Sequence, residues 1–542
     1  MPLSHTASIV LEKPCLAVPV RPSAISSSSF VRVNSPWPVT TPSPVYSRPN
    51  ISTSVIMLGN QDSSNRPNFG LQNWTSREKK VDLQSEKSRI SHYHNQTVLS
   101  NLACYVRRTV SAIFTVSFLG SLMTVAILTD VGVRMRTGVL RLVGKHIPEQ
   151  RPFVAMECER ARKRTKDDEK VVRDIDYYAS LVGLRAQRFD IVTPDRFVLQ
   201  LFRIYDPSEL EERKKSRYPV LLIHGLLQSA GAFCVNEEDS LAFYLCKSGY
   251  DVWLGNNRCG FDYKHLDSRS YNDARLWEWD VRGMATKDVP SFLNFILEKT
   301  GHQKVGLVGH SQGTTQVFLA LSRFHVPDLG RKISGFCALA PSVYAGPLID
   351  RDFFRCFRHM SPSTYRLLFG IHAFIPAMLV LHSIIPKRAV TYCSYAMLHF
   401  LFGWSDDRWD KFLEGRMFQF SPVYVSAESM RWWLGRDGFA TRRCIFDAET
   451  SEPWFDSRCP PIALWIAQED SLVDGDRLIN RLENAEPDVV LLKKKVIPTY
   501  EHLDVLWAVD AVDQVAQGVK EVLWSTAYQR ENFRCPTECE DL

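Results

Sequence analysis

The chain has 542 residues, 45% hydrophobic and 23% charged, with a formal net charge of +6. That balance excludes a wholly disordered, collagen-like or disulfide-rich mini-protein and leaves room for a large core. Residues 1–108 carry 12 Lys/Arg against 5 Asp/Glu, a surplus of +7 that leaves residues 109–542 at −1, so no basic stripe across a folded domain supports a nucleic-acid partner.

Within residues 1–60 stand 12 Ser, 9 Pro and a single acidic residue, Glu12, a composition that buries too little apolar surface to offset the entropy of ordering. Residues 1–108 are therefore expected to form a disordered, basic tail. No sustained apolar core marks a cleavable secretory signal in the first thirty residues, and no Arg-rich amphipathic helix marks a transit peptide. From Thr109 to Thr129 the run TVSAIFTVSFLGSLMTVAILT holds 21 uncharged residues between Arg107-Arg108 and Asp130. At 1.5 Å per residue it is long enough to cross a bilayer's hydrocarbon layer, and a single transmembrane anchor over 109–129 is expected. Lys/Arg flanking the run are nearly balanced and do not orient it. The sequons at Asn50, Asn73 and Asn95 all precede it, which favours a cytosolic catalytic domain. Cys104, near the run, is a candidate for acylation, an inert thiol being the simpler reading. The thirteen cysteines are odd in number and sparse, so a mostly reduced set is expected. Cys535 and Cys539 have no second ligand pair nearby, and no metal is expected there.

Residues 130–171 read as a juxtamembrane linker. Ala186 to Tyr205 is then two β-rich runs around Thr193-Pro194-Asp195, an antiparallel hairpin. Short apolar runs follow at Pro219–Ile223, Val252–Leu254, Val305–Val308, Gly335–Leu339, Ile462–Ile466 and Val489–Leu492. Separated by helix-compatible stretches such as Lys287–Lys299 and Thr314–Arg323, they predict parallel strands buried on both faces.

The strongest motif is Gly309-His310-Ser311-Gln312-Gly313. A strand runs into it and a helix runs out, the context that G-x-S-x-G requires, with Gly309 and Gly313 allowing a turn too tight for side chains. Ser311 is the candidate nucleophile. Its hydroxyl needs a base and the base needs a carboxylate to orient it, in the chain order Ser, acid, His. His502, in Tyr500-Glu501-His502-Leu503-Asp504 after the last strand, fits the base. His302 and His310 lie too near the elbow, and His372, His382 and His399 sit in apolar surroundings. For the acid, Asp470 is favoured at the exit of Ile462–Ile466, with Asp474 the alternative and Glu469 less favoured; the helix that begins near Gly475 offers one of them a capping role instead. Oxyanion donors are expected from the Gln312 amide and from Leu226 in His224-Gly225-Leu226-Leu227.

Taken in order, these residues resemble the acid lipases, meaning the gastric and lysosomal acid lipases and their fungal relatives that hydrolyse steryl esters and triacylglycerols. The resemblance runs from Val172 to Val522 and rests on Phe189–Thr193 with Leu199–Ile204, on His224–Leu227, Asp251–Arg258, Gly309–Thr315 and Tyr500–Asp504. It implies an α/β-hydrolase fold, with Ser311 as nucleophile, Asp470 as acid, His502 as base, and Leu226 and Gln312 as oxyanion donors. The chain departs from the family in having Cys259 where glycine is usual and Gln468-Glu469 where small residues usually precede the acid. The implied layout is a hydrolase core over 172–340 and 460–525, a cap or lid over 341–459 and a C-terminal tail over 526–542.

Within the cap, Leu367 to Pro386 holds twenty uncharged residues, but a span there would place Ser311 on one side of a membrane and Asp470 and His502 on the other. Pro376 also weakens it. It reads instead as an interfacial lid segment that dips into lipid, with Trp404, Trp409, Trp432 and Trp433 available for a water–lipid boundary or for a packed core. The expected protein is a membrane-anchored serine ester hydrolase for neutral lipids, steryl esters first and triacylglycerols second, needing no cofactor. The endoplasmic reticulum or plasma membrane is the expected location, a lipid droplet the less suitable one. A phospholipase, a general carboxylesterase and a catalytically silent lipid-binding or tethering protein of the same fold are the alternatives.

Overall fold

The computed structural model describes residues 98–144, 151–165, 170–267, 269, 271–446 and 452–542. The expected disordered tail up to residue 97, with its three sequons, lies outside the described residues, as does the Cys104 side chain. The last part of the segment read as a tail is helical. Helix α1 runs Val98–Leu142; it contains no proline, and Gly120, Gly132 and Gly138 are tolerated inside it. It also continues well past Thr129 and stops only where Gly144 takes a φ of 75°. The stretch read as a linker therefore begins as helix, and Val154–Lys163 forms another.

The core is a nine-stranded sheet in the order β1-β2-β4-β3-β6-β7-β8-β9, with β5 paired to β2. The hairpin is β1 (Arg185–Val192) and β2 (Phe197–Tyr205), antiparallel to each other, and β2 is also antiparallel to β4. From there β4 (Asp251–Asn256), β3 (Pro219–Ile223), β6 (Val305–His310), β7 (Ile333–Leu339), β8 (Ile462–Ala467) and β9 (Leu491–Ile497) pair in parallel. The two-residue β5 (Lys264–His265) has too little pattern to be legible in sequence, and β9 starts two residues later than the apolar run predicts.

Continuous apolar runs arise because both faces of the central strands are covered. In β3, Leu221 and Ile223 belong to one buried layer with Trp253, Leu307 and Phe336, while Val220 and Leu222 belong to the other with Val252, Val308 and Trp465. On the first face lie α3 (Val289–Thr300) and α4 (Gln312–Leu321); on the second lie α2 (Leu241–Ser248) and α11 (Gln517–Ser525). The last strand is an edge, and its alternating exposure over Leu491-Leu492-Lys493-Lys494-Lys495 puts charge where another chain's strand could otherwise add. The C-terminal residues are packed rather than free: Phe533 meets the Tyr218 ring at 4.9 Å and Cys539 is buried.

Between β7 and β8 the chain leaves the sheet and builds a helical cap from α5 (Asp352–His359), α6 (Pro362–Phe369), α7 (Ala377–Ile384), α8 (Lys387–Phe402) and α9 (Ala427–Leu434). The uncharged stretch from Leu367 to Pro386 is two short helices broken at Gly370 and Pro376, not one span. Trp404, Trp409, Trp432 and Trp433 are all buried. They serve as packing residues, which corrects the water–lipid-boundary reading. Beyond β8, α10 (Gly475–Asn484) returns the chain to β9.

Two ion pairs made by one guanidinium hold the loop after β4 in place. Arg258, fully enclosed, donates to Asp288 at 2.6 Å and to Asp195 of the hairpin turn at 2.9 Å, while its backbone N–H also donates to Asp288. Removing Asp288 leaves the enclosed guanidinium with the partly exposed Asp195 as its remaining carboxylate of the two. Asp288→Ala is expected to cost about 3 kcal/mol of folding stability, the low end for breaking a buried pair, read from denaturant melts.

Candidate active site

The loop between β6 and α4 carries Ser311 at φ 52° and ψ −122°, a left-handed conformation that costs a non-glycine residue about 1–3 kcal/mol and aims the hydroxyl away from the turn. The turn closes only because its flanks lack side chains. A Cβ on Gly313 would stand 2.2 Å from the Ile223 carbonyl oxygen, and one on Gly309 3.0 Å from the Thr314 nitrogen. The Ser311 carbonyl accepts from the Thr314 hydroxyl at 2.6 Å, and the Ser311 N–H donates to Leu339 at 3.1 Å. These bonds hold the strained residue from both sides.

Three loops converge on it from the C-terminal ends of β6, β8 and β9. His502 Nε2 lies 2.7 Å from Ser311 Oγ, and His502 Nδ1 lies 2.5 Å from Asp470 Oδ2. A carboxylate at Nδ1 accepts only, so the ring proton sits on that nitrogen and Nε2 is left to accept from the serine hydroxyl. The other Asp470 oxygen accepts from the Leu472 N–H at 2.8 Å, fixing the carboxylate. Asp474 faces elsewhere and caps α10, accepting from the Arg477 N–H at 2.9 Å, and Glu469 is exposed. Geometry therefore joins Asp470, and neither neighbour, to the histidine.

The loop after β3 abuts the same serine. A Cβ on Gly225 would lie 3.0 Å from Ser311 Cβ, and the Gly225 N–H donates to Gln228 Oε1 at 3.1 Å. Leu226 sits between this residue and Leu227, which holds a φ of 59°. Gln312 opens α4, and N–H groups in a helix's first turn lack an intrahelical acceptor and carry the positive end of its dipole. The Gln312 side chain is pinned away, its Oε1 accepting from Trp433 Nε1 at 2.8 Å. His224 is fully buried with its Nδ1 3.0 Å from the Gly225 carbonyl oxygen, and burial lowers its pKa to about 4. It shapes the loop as a neutral ring.

Several residues around the site had no sequence signal of their own. His310, set aside as too close to the elbow to be the base, reaches the His502 carbonyl oxygen with Nε2 at 3.2 Å and Gln228 with Nδ1 at 3.0 Å; burial holds it well below the ordinary histidine range. Ser342 Oγ lies 3.4 Å from Ser311 Oγ. From the cap, Trp404 stacks on the His502 ring, centroids 5.2 Å apart and planes 10° from parallel, and Phe402 stacks on Trp404 in turn at 4.3 Å. Two carboxyls lash the same cap loop to the histidine loop: Glu501 accepts from the Ser405 N–H at 2.5 Å, and Asp504 accepts from Trp409 Nε1 at 2.8 Å and from the Glu501 N–H at 2.7 Å. The Tyr500–Asp504 motif contained both, yet only the histidine had a chemical reason to be chosen from it.

With the geometry described, comparison with known proteins adds the lineage. A family profile described as a partial alpha/beta-hydrolase lipase region matches residues 175–237, and one described as alpha/beta hydrolase fold matches residues 218–359. Sterol esterase 2 of Saccharomyces cerevisiae is 36% identical over 397 residues, covering 66% of this chain and 73% of that protein. The chain belongs to the acid lipase family of α/β-hydrolases. Other relatives include gastric triacylglycerol lipase of Rattus norvegicus, 31% identical with 61% of this chain and 87% of the relative covered, and that of Homo sapiens, 29% identical with 65% and 92% covered.

Burial raises the pKa of both Glu501 and Asp504 to about 7. A carboxyl whose folded pKa exceeds its unfolded value binds more protons when folded, so its contribution to stability is full below the unfolded pKa and is lost as pH rises through the folded one. For these two groups the window runs from the ordinary carboxylate range up to about pH 7. Glu501→Gln keeps an acceptor for Ser405 and removes one titration. Its melting temperature is expected to fall less between pH 5 and 7 than that of the unaltered protein, as differential scanning fluorimetry would read.

Proposed function

We propose that this acid lipase family member hydrolyses the ester bond of a neutral lipid, steryl esters first and triacylglycerols second, through an acyl-enzyme on Ser311. The observation that carries the reading is the unbroken hydrogen-bonded chain from Ser311 through His502 to Asp470 at the ends of three parallel strands. In this mechanism His502 takes the hydroxyl proton as Ser311 Oγ attacks the carbonyl carbon, and Asp470 stabilises the imidazolium. The Leu226 and Gln312 amides receive the developing oxyanion. Collapse of the tetrahedral intermediate breaks the ester bond, and His502 returns the proton to the departing alcohol, the sterol in a steryl ester. Water, activated by the same histidine, then releases the fatty acid and regenerates Ser311. The preference for steryl esters draws on the similarity to the yeast sterol esterase, that for triacylglycerols on the gastric lipases.

The membrane part of the proposal rests on α1, in which Tyr105–Leu142 is long and apolar enough to cross a bilayer by length and composition. Residues 109–129 are proposed as its lipid-embedded centre, with the catalytic domain on the cytosolic side of the endoplasmic reticulum or plasma membrane. Residues 341–459 are proposed as a lid over a core formed by 172–340 and 460–525. Ser311 is only 7% exposed and His502 2%, so a lipid carbonyl reaches them only after the cap moves, which suits a substrate met at a lipid surface.

Ser311→Ala is expected to lower turnover by about 10⁴-fold or more and to abolish labelling by a serine-reactive phosphonate; unchanged turnover and labelling would leave a catalytically silent lipid-binding protein. Purified protein assayed against steryl oleate, triolein, phosphatidylcholine and a short soluble ester is expected to prefer the first two. Preference for the soluble ester would sink the lid assignment.

A further inference from the structure

Ser342 stands beside the nucleophile and has no part in the chain from Ser311 through His502 to Asp470. It follows β7 by three residues, just after Ala340, which takes a φ of 44°. Two buried threonines of α4 pin its main chain: the Ser342 N–H donates to Thr314 Oγ1 at 3.0 Å, and its carbonyl oxygen accepts from Thr315 Oγ1 at 2.6 Å. Only the hydroxyl is left to find a partner, and the side chain is 3% exposed. Among the described residues that partner is Ser311 Oγ, 3.4 Å away. The direction of the contact follows from counting protons. A serine hydroxyl has a single hydrogen and two lone pairs. The hydrogen of Ser311 is committed to His502 Nε2 at 2.7 Å, so Ser342 is the donor and a lone pair of Ser311 Oγ the acceptor. At 3.4 Å the contact is longer than a full O–H···O bond, and catalytic hydrogen bonds that are long at rest tighten during reaction.

We infer that Ser342 is a further catalytic residue, whose hydroxyl donates to Ser311 Oγ and eases the departure of that oxygen from the acyl-enzyme. The inference rests on the proposed acyl-enzyme at Ser311 and deepens it. In deacylation His502 takes a proton from water as the water oxygen bonds to the acyl carbon. The bond between that carbon and Ser311 Oγ then breaks, its electron pair stays on Oγ, and His502 returns the proton there. Ser342 keeps its own proton throughout and contributes only a hydrogen bond. That bond is weak while Oγ is an ester oxygen and strongest while Oγ receives the electron pair. An interaction stronger in the transition state than in the ground state lowers the barrier between them. During acylation the same donor eases loss of the Ser311 proton but draws electron density from the attacking lone pair, and the two effects oppose each other. The hydroxyl therefore acts chiefly on deacylation.

The test follows p-nitrophenol release from p-nitrophenyl decanoate by stopped flow, with full-length protein in detergent micelles. The burst reports acylation and the steady phase deacylation. Ser342→Ala is expected to slow deacylation about tenfold, the worth of one hydrogen bond, and to leave the burst rate within about twofold. Its kcat and KM then fall together, because kcat/KM follows acylation. Ser342→Thr, which puts a hydroxyl back on the same carbon, is expected to recover most of the deacylation rate. Both phases slowed by one factor, neither slowed, or no recovery in a Thr variant that melts with the unaltered protein overturns the inference and leaves Ser311 as nucleophile. Acid-quenched enzyme is also digested with trypsin and weighed, since Ser311 and Ser342 fall in separate peptides, 305–323 and 333–351. A decanoyl group on the first supports the inference. A decanoyl group on the second, or on neither in any variant, refutes the acyl-enzyme at Ser311 itself and the inference with it.

Discussion

Parallel pairing of β6, β7, β8 and β9 is the constraint on which the site depends. In a parallel sheet every strand ends on the same edge, so loops that follow β6, β8 and β9 emerge side by side although they lie far apart in sequence. Ser311, Asp470 and His502 occupy those three exits. The pairing in turn requires that both faces of each strand be buried, since the crossover connections lay helices on either side. Val220 and Leu222 facing one layer and Leu221 and Ile223 the other express that requirement in five residues. The strain at Ser311 is tolerated because the turn is anchored to the sheet through Leu339 and to α4 through Thr314.

The second layer of organisation is the cap, which here does more than cover. Trp404 lies on the base, Glu501 and Asp504 bind the cap loop to the base's own loop, and Trp433 clamps Gln312. Cap residues thus contact both His502 and Gln312. Helix α8 carries Tyr392, which donates to Asp130 of α1, and ends at Phe402, against Trp404. One helix thus stands between the apolar N-terminal helix and the Trp404 that lies on His502.

Much of this was legible in the sequence because the signals are local. The hairpin over Ala186–Tyr205, the apolar strand runs and the glycine-flanked serine each lie within a few residues, and backbone sterics act at that range. The limits of α1 were less legible, because neither a charge nor an isolated glycine ends this helix: Gly120, Gly132 and Gly138 lie inside it, and Asp130 is accommodated by Arg134 and Tyr392. The tryptophans were ambiguous for a related reason. An indole suits a buried stack and a lipid boundary equally by composition, and only the neighbours of Trp404, Trp409, Trp432 and Trp433 distinguish the two.

By itself, then, the sequence determined the order of the main strands and helices, the elbow at Ser311 and the choice of His502 as candidate base, because each follows from short-range periodicity, turn chemistry or position after the last strand. Tertiary structure decided which carboxylate faces His502. Asp470 and Asp474 are four residues apart with the same chemistry, and only the trajectory of the loop leaving β8 turns one to the imidazole and the other to the first turn of α10. It also decided that His310 underlies the histidine loop, that Trp404 lies over the base, and that α1 runs along the cap. Those relations join residues about a hundred or more positions apart, and such contacts are set by how whole layers pack rather than by local propensity.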